Sequence, residues 1–247
     1  MKPRRDDSWA RTDLAVAVRE VILSWVLGPI IDLYTRRRIV GREVLDGMSA
    51  PVLFVANHSS HLDTPTILRA LPPAWRRRTA VAAAADYFYR RPLMAHTVSL
   101  AFNTVPVQRN AGGVGPDAVA DLDRLIDERW SLVIFAEGTR SRDGIIGRLY
   151  SGAAVLAVQH GLALVPVHVS GTHAVMPPGQ RWMHFKPGRL LPRRQHIEVR
   201  FGPPVHPREG EHRTEVMERV RCFFEASGAV TTPDKRIRAR GRHSAVR

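Results

Sequence analysis

The chain predicts an α/β fold built on a mostly parallel sheet, and three observations carry that expectation. Short apolar runs of strand length alternate with segments of helical spacing, the pattern of successive strand–helix–strand units. Two of these runs, residues 52–56 and 132–136, end abruptly in clusters of polar and charged side chains, as strands do when their carboxyl ends hold a ligand. No internal repeat and no linker divides the 247 residues, a length that suits one domain with a small appendage.

The elements follow in order. Leu14, Val18, Val21, Ile22 and Trp25 recur at helical spacing, and Gly28-Pro29 is expected to break or kink that helix. Arg19, Glu20, Ser24 and Asp32 interrupt the apolar run, which therefore falls short of the ~20 uncharged residues of a clean membrane span. No small-residue cleavage site separates it from Arg36-Arg37-Arg38, so a secretory signal is not expected. Residues 1–38 are assigned as an amphipathic, interfacial segment, its apolar face in the lipid boundary and its arginines on anionic headgroups; the alternative is a helix packed on its own domain.

A body of residues 39–228 comes next. It opens with a buried strand at 51–56 and a helix near 64–70, with Pro65 in its first turn and Pro72-Pro73 as its stop. A small-residue strand at 79–85, a helix across 86–101 broken at Pro92, and a short strand at 103–109 ending in Arg109 follow. Gly112, Gly113 and Gly115 make a turn, because no phosphate-loop Lys-Ser/Thr follows them. Pro116 opens a helix reaching about Trp130; a strand at 132–136, a helix at 150–160, strands at 162–169 and 196–201 and an amphipathic helix at 211–227 complete the body. The last 19 residues carry six basic side chains against one acid, with no periodicity, and read as a disordered basic tail.

Composition narrows the possible functions. A single cysteine, Cys222, excludes an internal disulfide framework and any multi-cysteine zinc site. The formal charge of +14 favours anionic membranes, phosphorylated substrates or nucleic acid. Nucleic acid is not expected, because the basic stretches lack interleaved aromatic residues.

Three predicted strand ends carry chemistry. After the strand at 51–56 come Asn57, His58, Ser59, Ser60, His61, Leu62 and Asp63, and a helix starting near Asp63 lets His58 fold back on that carboxylate. An imidazole so held has one tautomer and becomes a better proton acceptor. The second strand end is Arg109; the third is Glu137-Gly138-Thr139-Arg140. Arginine grips phosphate through a bidentate fork, and Gly138 lets the backbone come close to a ligand. No Gly-x-Ser-x-Gly elbow occurs, so the inventory suits direct attack by a substrate hydroxyl on an activated acyl group. His58, His61 and Asp63 could in principle form a zinc set, but no further acid or histidine stands nearby in sequence, and no metal is expected.

These residues resemble a known family. Asn57-His58-Ser-Ser60-His-Leu-Asp63 is similar to the Asn-His-x4-Asp signature of the glycerolipid acyltransferases, the 1-acylglycerol-3-phosphate acyltransferase family. Phe135-Ala136-Glu137-Gly138-Thr139-Arg140-Ser141 resembles its Phe-Pro-Glu-Gly-Thr-Arg-Ser block, with Ala136 in place of proline. Val105-Pro-Val-Gln-Arg109 and Val165-Pro166-Val167 followed by Gly171 resemble two further blocks, in the family's order.

The resemblance implies an α/β sandwich around a mixed sheet, often with an N-terminal membrane-associating helix. It implies acyl transfer from acyl-coenzyme A or acyl carrier protein, as co-substrate and without a cofactor, to the hydroxyl of 1-acylglycerol-3-phosphate, giving phosphatidate. His58 becomes the general base and Asp63 its orienting acid, while Arg109, Glu137, Gly138, Thr139 and Arg140 bind the acceptor's phosphate. The expected setting is the cytoplasmic face of a membrane, peripheral or monotopic. Where the family often has Phe-Lys-x-Gly this chain has Leu149-Tyr150-Ser151-Gly152, which leaves another lysophospholipid or alcohol acceptor open. Two other readings are a protein that binds anionic surfaces by charge without catalysis, and an acyltransferase-like domain that hydrolyses thioesters.

Overall fold

The apolar run Leu53-Phe54-Val55-Ala56 has no polar side chain to offer solvent, and it becomes the central strand of a seven-stranded sheet covered on both faces. The computed structural model describes residues 8–84, 92–107, 109–110, 113–114, 116–188 and 192–232. Its strands are β1 (Thr35–Val40), β2 (Leu53–Ala56), β3 (Thr79–Ala84), β4 (Thr104–Val107), a two-residue pair β5 (Arg109–Asn110) and β6 (Gly113–Val114), β7 (Ser131–Phe135), β8 (Leu164–Ser170) and β9 (Gln195–Phe201). The sheet order is β1-β9-β8-β2-β7-β3-β4, with β5 and β6 forming a separate antiparallel ribbon. Every neighbouring pair in the large sheet is parallel except β8 with β9, so the sheet is mixed and mostly parallel, as expected.

The helices are α1 (Asp13–Tyr34), α2 (Asp63–Ala70), α3 (Pro73–Arg77), α4 (Pro92–Phe102), α5 (Pro116–Asp127), α6 (Gly152–His160), α7 (Thr172–Val175) and α8 (Arg213–Ala226). Alternation along β2 sorts them into two layers. Leu53 and Val55 pack with Leu125 and Ile126 of α5, Ala154 and Ala157 of α6, and Val220 and Phe224 of α8. Phe54 and Ala56 point the other way, into a cluster with Leu23 of α1, Ile67 and Leu68 of α2, and Phe201 of β9. Phe54 is fully buried and meets the ring edges of Trp75 and Phe201 at centroid distances of 6.0 and 6.4 Å.

Four differences from the sequence reading have physical causes. Gly28-Pro29 does not break the first helix: a π-helical stretch over Ile22–Leu27 widens the turn ahead of it, and Pro29 sits at the start of the regular segment Gly28–Tyr34, where its missing N–H is tolerated. The resulting 22-residue helix is long and apolar enough, by length and composition, to cross a membrane, contrary to the expectation from its charges. At Gly28 the Arg69 guanidinium comes close over the helix, 2.9 Å from where a Cβ would stand. Arg36, Arg37 and Arg38 are not only a basic flank. They belong to β1, which pairs with β9 from Thr35 to Val40, so a boundary after residue 38 would cut an edge strand.

At the other terminus the ordered body runs past residue 228. Thr231 bridges to Ile146, and the Thr232 N–H donates to the Ile146 carbonyl at 2.8 Å. The rest of the basic tail, residues 233–247, lies outside the described residues, as do residues 85–91, Gly112 and Gly115.

Candidate active site

The site forms where β8, β2 and β7, adjacent in the sheet, reach their carboxyl ends. Asn57 ends β2 by imitating a ladder partner: its Nδ2 donates to the Val169 carbonyl at 2.9 Å and its Oδ1 accepts from the Val169 N–H at 2.7 Å. The chain then wraps around Asp63 at the start of α2, where a carboxylate also complements the helix dipole. Asp63 is fully buried. Its Oδ2 accepts from the N–H groups of Ser59 and Ser60 at 2.6 and 2.8 Å, and stands 2.8 Å from Nδ1 of His58. Its Oδ1 accepts from the Thr172 hydroxyl at 2.5 Å.

An ionised carboxylate only accepts, so Nδ1 of His58 carries the proton and Nε2 is the nitrogen left to take one. The ring lies flat on Phe135, centroids 3.9 Å apart and planes 19° from parallel, and keeps 17% of its side-chain surface open to solvent. Stacking and the Asp63 bond together fix both ring angles.

The turn after β7 holds the backbone of that histidine. Glu137 accepts the His58 N–H through Oε1 at 2.9 Å and the Gly147 N–H through Oε2 at 2.9 Å, while the Ser141 N–H donates to the His58 carbonyl at 2.8 Å. Burial pushes the Glu137 carboxyl above its ordinary range, against the pull of those two amides. Both Glu137 oxygens are thus engaged with backbone. Gly138 takes φ +68°, which closes the turn onto the Phe135 carbonyl, and Thr139 is exposed. Ala136, where the family block has proline, donates its N–H to the Ala56 carbonyl at 2.9 Å; a proline has no such hydrogen, so the departure extends the β2–β7 ladder.

Arg140 is partly buried, and its Nη1 lies 2.5 Å from Nε2 of His61. His61 is turned inward, half-buried, against Arg140. Burial first, and then the Arg140 charge, lower its pKa to about 4. A guanidinium facing His61 is incompatible with a cation in the same place, and among the described residues no group of three or more His, Cys, Asp or Glu side chains converges to hold a metal.

Thr172, and the stacking of Phe135 on His58, are not foreseen by the sequence. A hydroxyl and a phenyl ring have no signature of their own, and Thr172 is 109 residues from the carboxylate it touches. Its neighbour held the only clue: Gly171 takes φ +83°, and a Cβ there would lie 2.1 Å from the His196 carbonyl oxygen, so the turn that delivers Thr172 demands glycine. Arg109 stands in β5, beyond β4; its side chain lies outside the described residues. The structure therefore brings His58, Asp63 and the Glu137–Arg140 turn together.

A buried, oriented carboxylate–histidine pair beside an arginine-bearing turn is the equipment of an enzyme that deprotonates a hydroxyl for group transfer. The acyltransferase family model matches residues 36–170, which contain every one of these groups except Thr172, and the chain belongs to that family. It is 31% identical over 143 residues to a chloroplastic 1-acyl-sn-glycerol-3-phosphate acyltransferase of Arabidopsis thaliana, an alignment covering 57% of this chain and 38% of that protein. A 1-acyl-sn-glycerol-3-phosphate acyltransferase of Limnanthes douglasii is 28% identical over 155 residues, covering 62% of this chain and 50% of the relative. The chain thus spans half or less of the length of these two relatives. The solved structure of the 1-acyl-sn-glycerophosphate acyltransferase of Thermotoga maritima superposes with a TM-score of 0.59 at 22% identity, over 90% of this chain and 84% of that one, and shares its fold.

Proposed function

We propose that this acyltransferase moves a fatty acyl group from a thioester, acyl-coenzyme A or acyl carrier protein, to the free hydroxyl of 1-acylglycerol-3-phosphate, giving phosphatidate. The observation that carries the reading is the His58–Asp63 pair set beside Arg140. Nε2 of His58 takes the hydroxyl proton as the oxygen attacks the thioester carbonyl. The tetrahedral adduct collapses with loss of the thiolate, which recovers the proton from the imidazolium. Asp63, held by its other donors, stabilises the imidazolium formed between the two steps. Arg140 grips the acceptor's phosphate, joined by Arg109. Glu137 acts through His58 and Gly147 by holding the turn in place, while Gly138 and Thr139 shape its rim. The names of the curated relatives support the acceptor.

The setting we propose is the cytoplasmic face of a membrane, with α1 lying on the surface. Leu14, Val21, Trp25, Val26 and Leu33 of this helix are exposed. Arg19, Glu20 and Asp32 are bonded within the protein instead. Arg19 donates to the Ala10, Ser99 and Leu100 carbonyls, Glu20 receives Arg76 in two 2.7 Å bonds, and Asp32 receives Arg69 in two bonds of 2.8 and 3.0 Å. Removing α1 into a bilayer as a span would break these pairs, whereas an interfacial pose keeps them and buries the apolar face. A 680 Å³ groove lined by Arg36, Pro192, Arg193, Arg194 and His196 follows the end of α1 and suits anionic headgroups.

The test is to offer radiolabelled acyl-coenzyme A to the purified chain with a panel of lysolipids on anionic vesicles, and to identify the product by mass. Diacylated phosphatidate is expected. Release of coenzyme A that needs no lipid acceptor would assign hydrolysis instead, and salt-sensitive DNA binding without any acyl transfer would assign the charge-driven alternative. Failure to co-sediment with anionic vesicles would overturn the surface pose.

A further inference from the structure

His61 sits inside the first motif at a position the acid–base chemistry does not use, yet it is partly buried and meets Arg140, which lies 79 residues away in the chain. The pairing has only one chemical solution. A guanidinium keeps its protons at any pH at which a protein folds, so Nη1 donates and Nε2 of His61 must accept. That makes His61 a neutral imidazole with its proton on Nδ1, and the drop of its pKa to about 4 agrees with the geometry. A neutral acceptor holds an arginine in place without cancelling its charge. A carboxylate there would neutralise the guanidinium and compete with an incoming phosphate.

Ser141 and the loop behind it are fastened by the His58 carbonyl and by Asp143, which accepts from the Ser141 hydroxyl and the Ile145 N–H, but these bonds fix backbone. Arg140 has many rotamers, and immobilising a long side chain costs conformational entropy on binding. Leu62 and Asp63, the residues directly after His61, are buried, so His61 projects from a rigid turn.

We propose that His61 is a positioning residue for the acceptor's phosphate, holding the Arg140 guanidinium aimed beside Nε2 of His58 and so setting acceptor affinity and not the chemical step. The proposal rests on the reading of Arg140 as a phosphate-holding residue. His61 touches neither the reacting atoms nor the thioester, and acts only through Arg140.

The test is steady-state kinetics of H61A, H61Q, R140A and the double variant H61A/R140A with a lysophosphatidate acceptor and saturating acyl donor. H61A is expected to raise the acceptor KM about tenfold, the scale of one hydrogen bond to a charged group, while kcat stays within about threefold. H61Q is expected to restore most of the affinity, because its Oε1 reaches nearly where Nε2 of histidine was. In the R140A background, H61A is expected to add little further loss, the mark of two residues acting as one. Equal falls in kcat for H61A and H61Q, or full additivity with R140A, would overturn the proposal. If R140A itself leaves the acceptor KM unchanged, the reading of Arg140 fails and the proposal with it; if R140A raises KM while H61A does not, only the proposal fails. Should H61A not fold, H61N replaces it, since its shorter amide stops short of Arg140 and makes the same prediction.

Discussion

Two turns stand side by side at the carboxyl end of the sheet, after β2 and after β7, and they are built to opposite standards. The β2 turn surrounds the fully buried Asp63 with two backbone amides, a hydroxyl and an imidazole, so nothing in it can move alone. The β7 turn is equally firm in its backbone through Glu137, but the Arg140 side chain it carries is partly exposed and meets the neutral His61. The difference fits the roles proposed for the two turns. A general base gains only if its geometry is set before the substrate arrives, whereas a phosphate grip must admit and release a charged, hydrated ligand.

The largest effects test the rigid turn. H58A is expected to lower kcat by at least about a hundredfold with little change in unfolding temperature, since its side chain ends at a partly open site. D63A is expected to match that loss and also to destabilise the fold by about 3 kcal/mol or more, because it strands the Ser59 and Ser60 N–H groups and the Thr172 hydroxyl. Chemical denaturation of both variants decides the matter: equal stability would mean that Asp63 does not organise its turn. A smaller effect is expected of T172V, about tenfold in kcat with the acceptor KM unchanged, as one charge-assisted hydrogen bond to Asp63 is removed. A kcat within twofold of the parent would show that the remaining donors suffice.

The smallest effect concerns the looser turn and is read by pH. The folded pKa of His61 lies near 4, below its ordinary 6.5, with Arg140 and His58 facing it as cations or potential cations and Asp63 as the opposing charge. A depressed folded pKa means that its contribution to stability is complete above about pH 6.5 and is lost as pH falls from there towards 4. Allowing for its partial exposure, the parent is expected to lose on the order of 1–2 kcal/mol more than H61Q across that interval. Parallel stability curves for the two proteins would remove His61 from any coupling to Arg140.

Much of this site was legible because its chemistry is local. His58 and Asp63 are five residues apart, and a strand end followed by a helix start is enough to bring them together. Glu137 to Arg140 could be recognised as a unit for the same reason, although not that both Glu137 oxygens would turn to backbone amides. The partners of His61 and Thr172 were not legible, because they lie 79 and 109 residues away in the chain. The first helix shows the same division: its apolar spacing was plain, but Glu20 and Asp32 looked like interruptions until Arg76 and Arg69 were found opposite them.

By itself the sequence determined the α/β class, the His58–Asp63 pairing and the arginine-bearing turn, since all three depend on short-range patterns: strand length, helix onset and the order of a few polar residues. Only the tertiary structure decided that β1 and β9 run against the other five strands, that Thr172 completes the carboxylate's shell and that His61 faces Arg140. Those choices turn on which distant segments share a buried face, and desolvation there favours arrangements in which polar groups meet partners far along the chain.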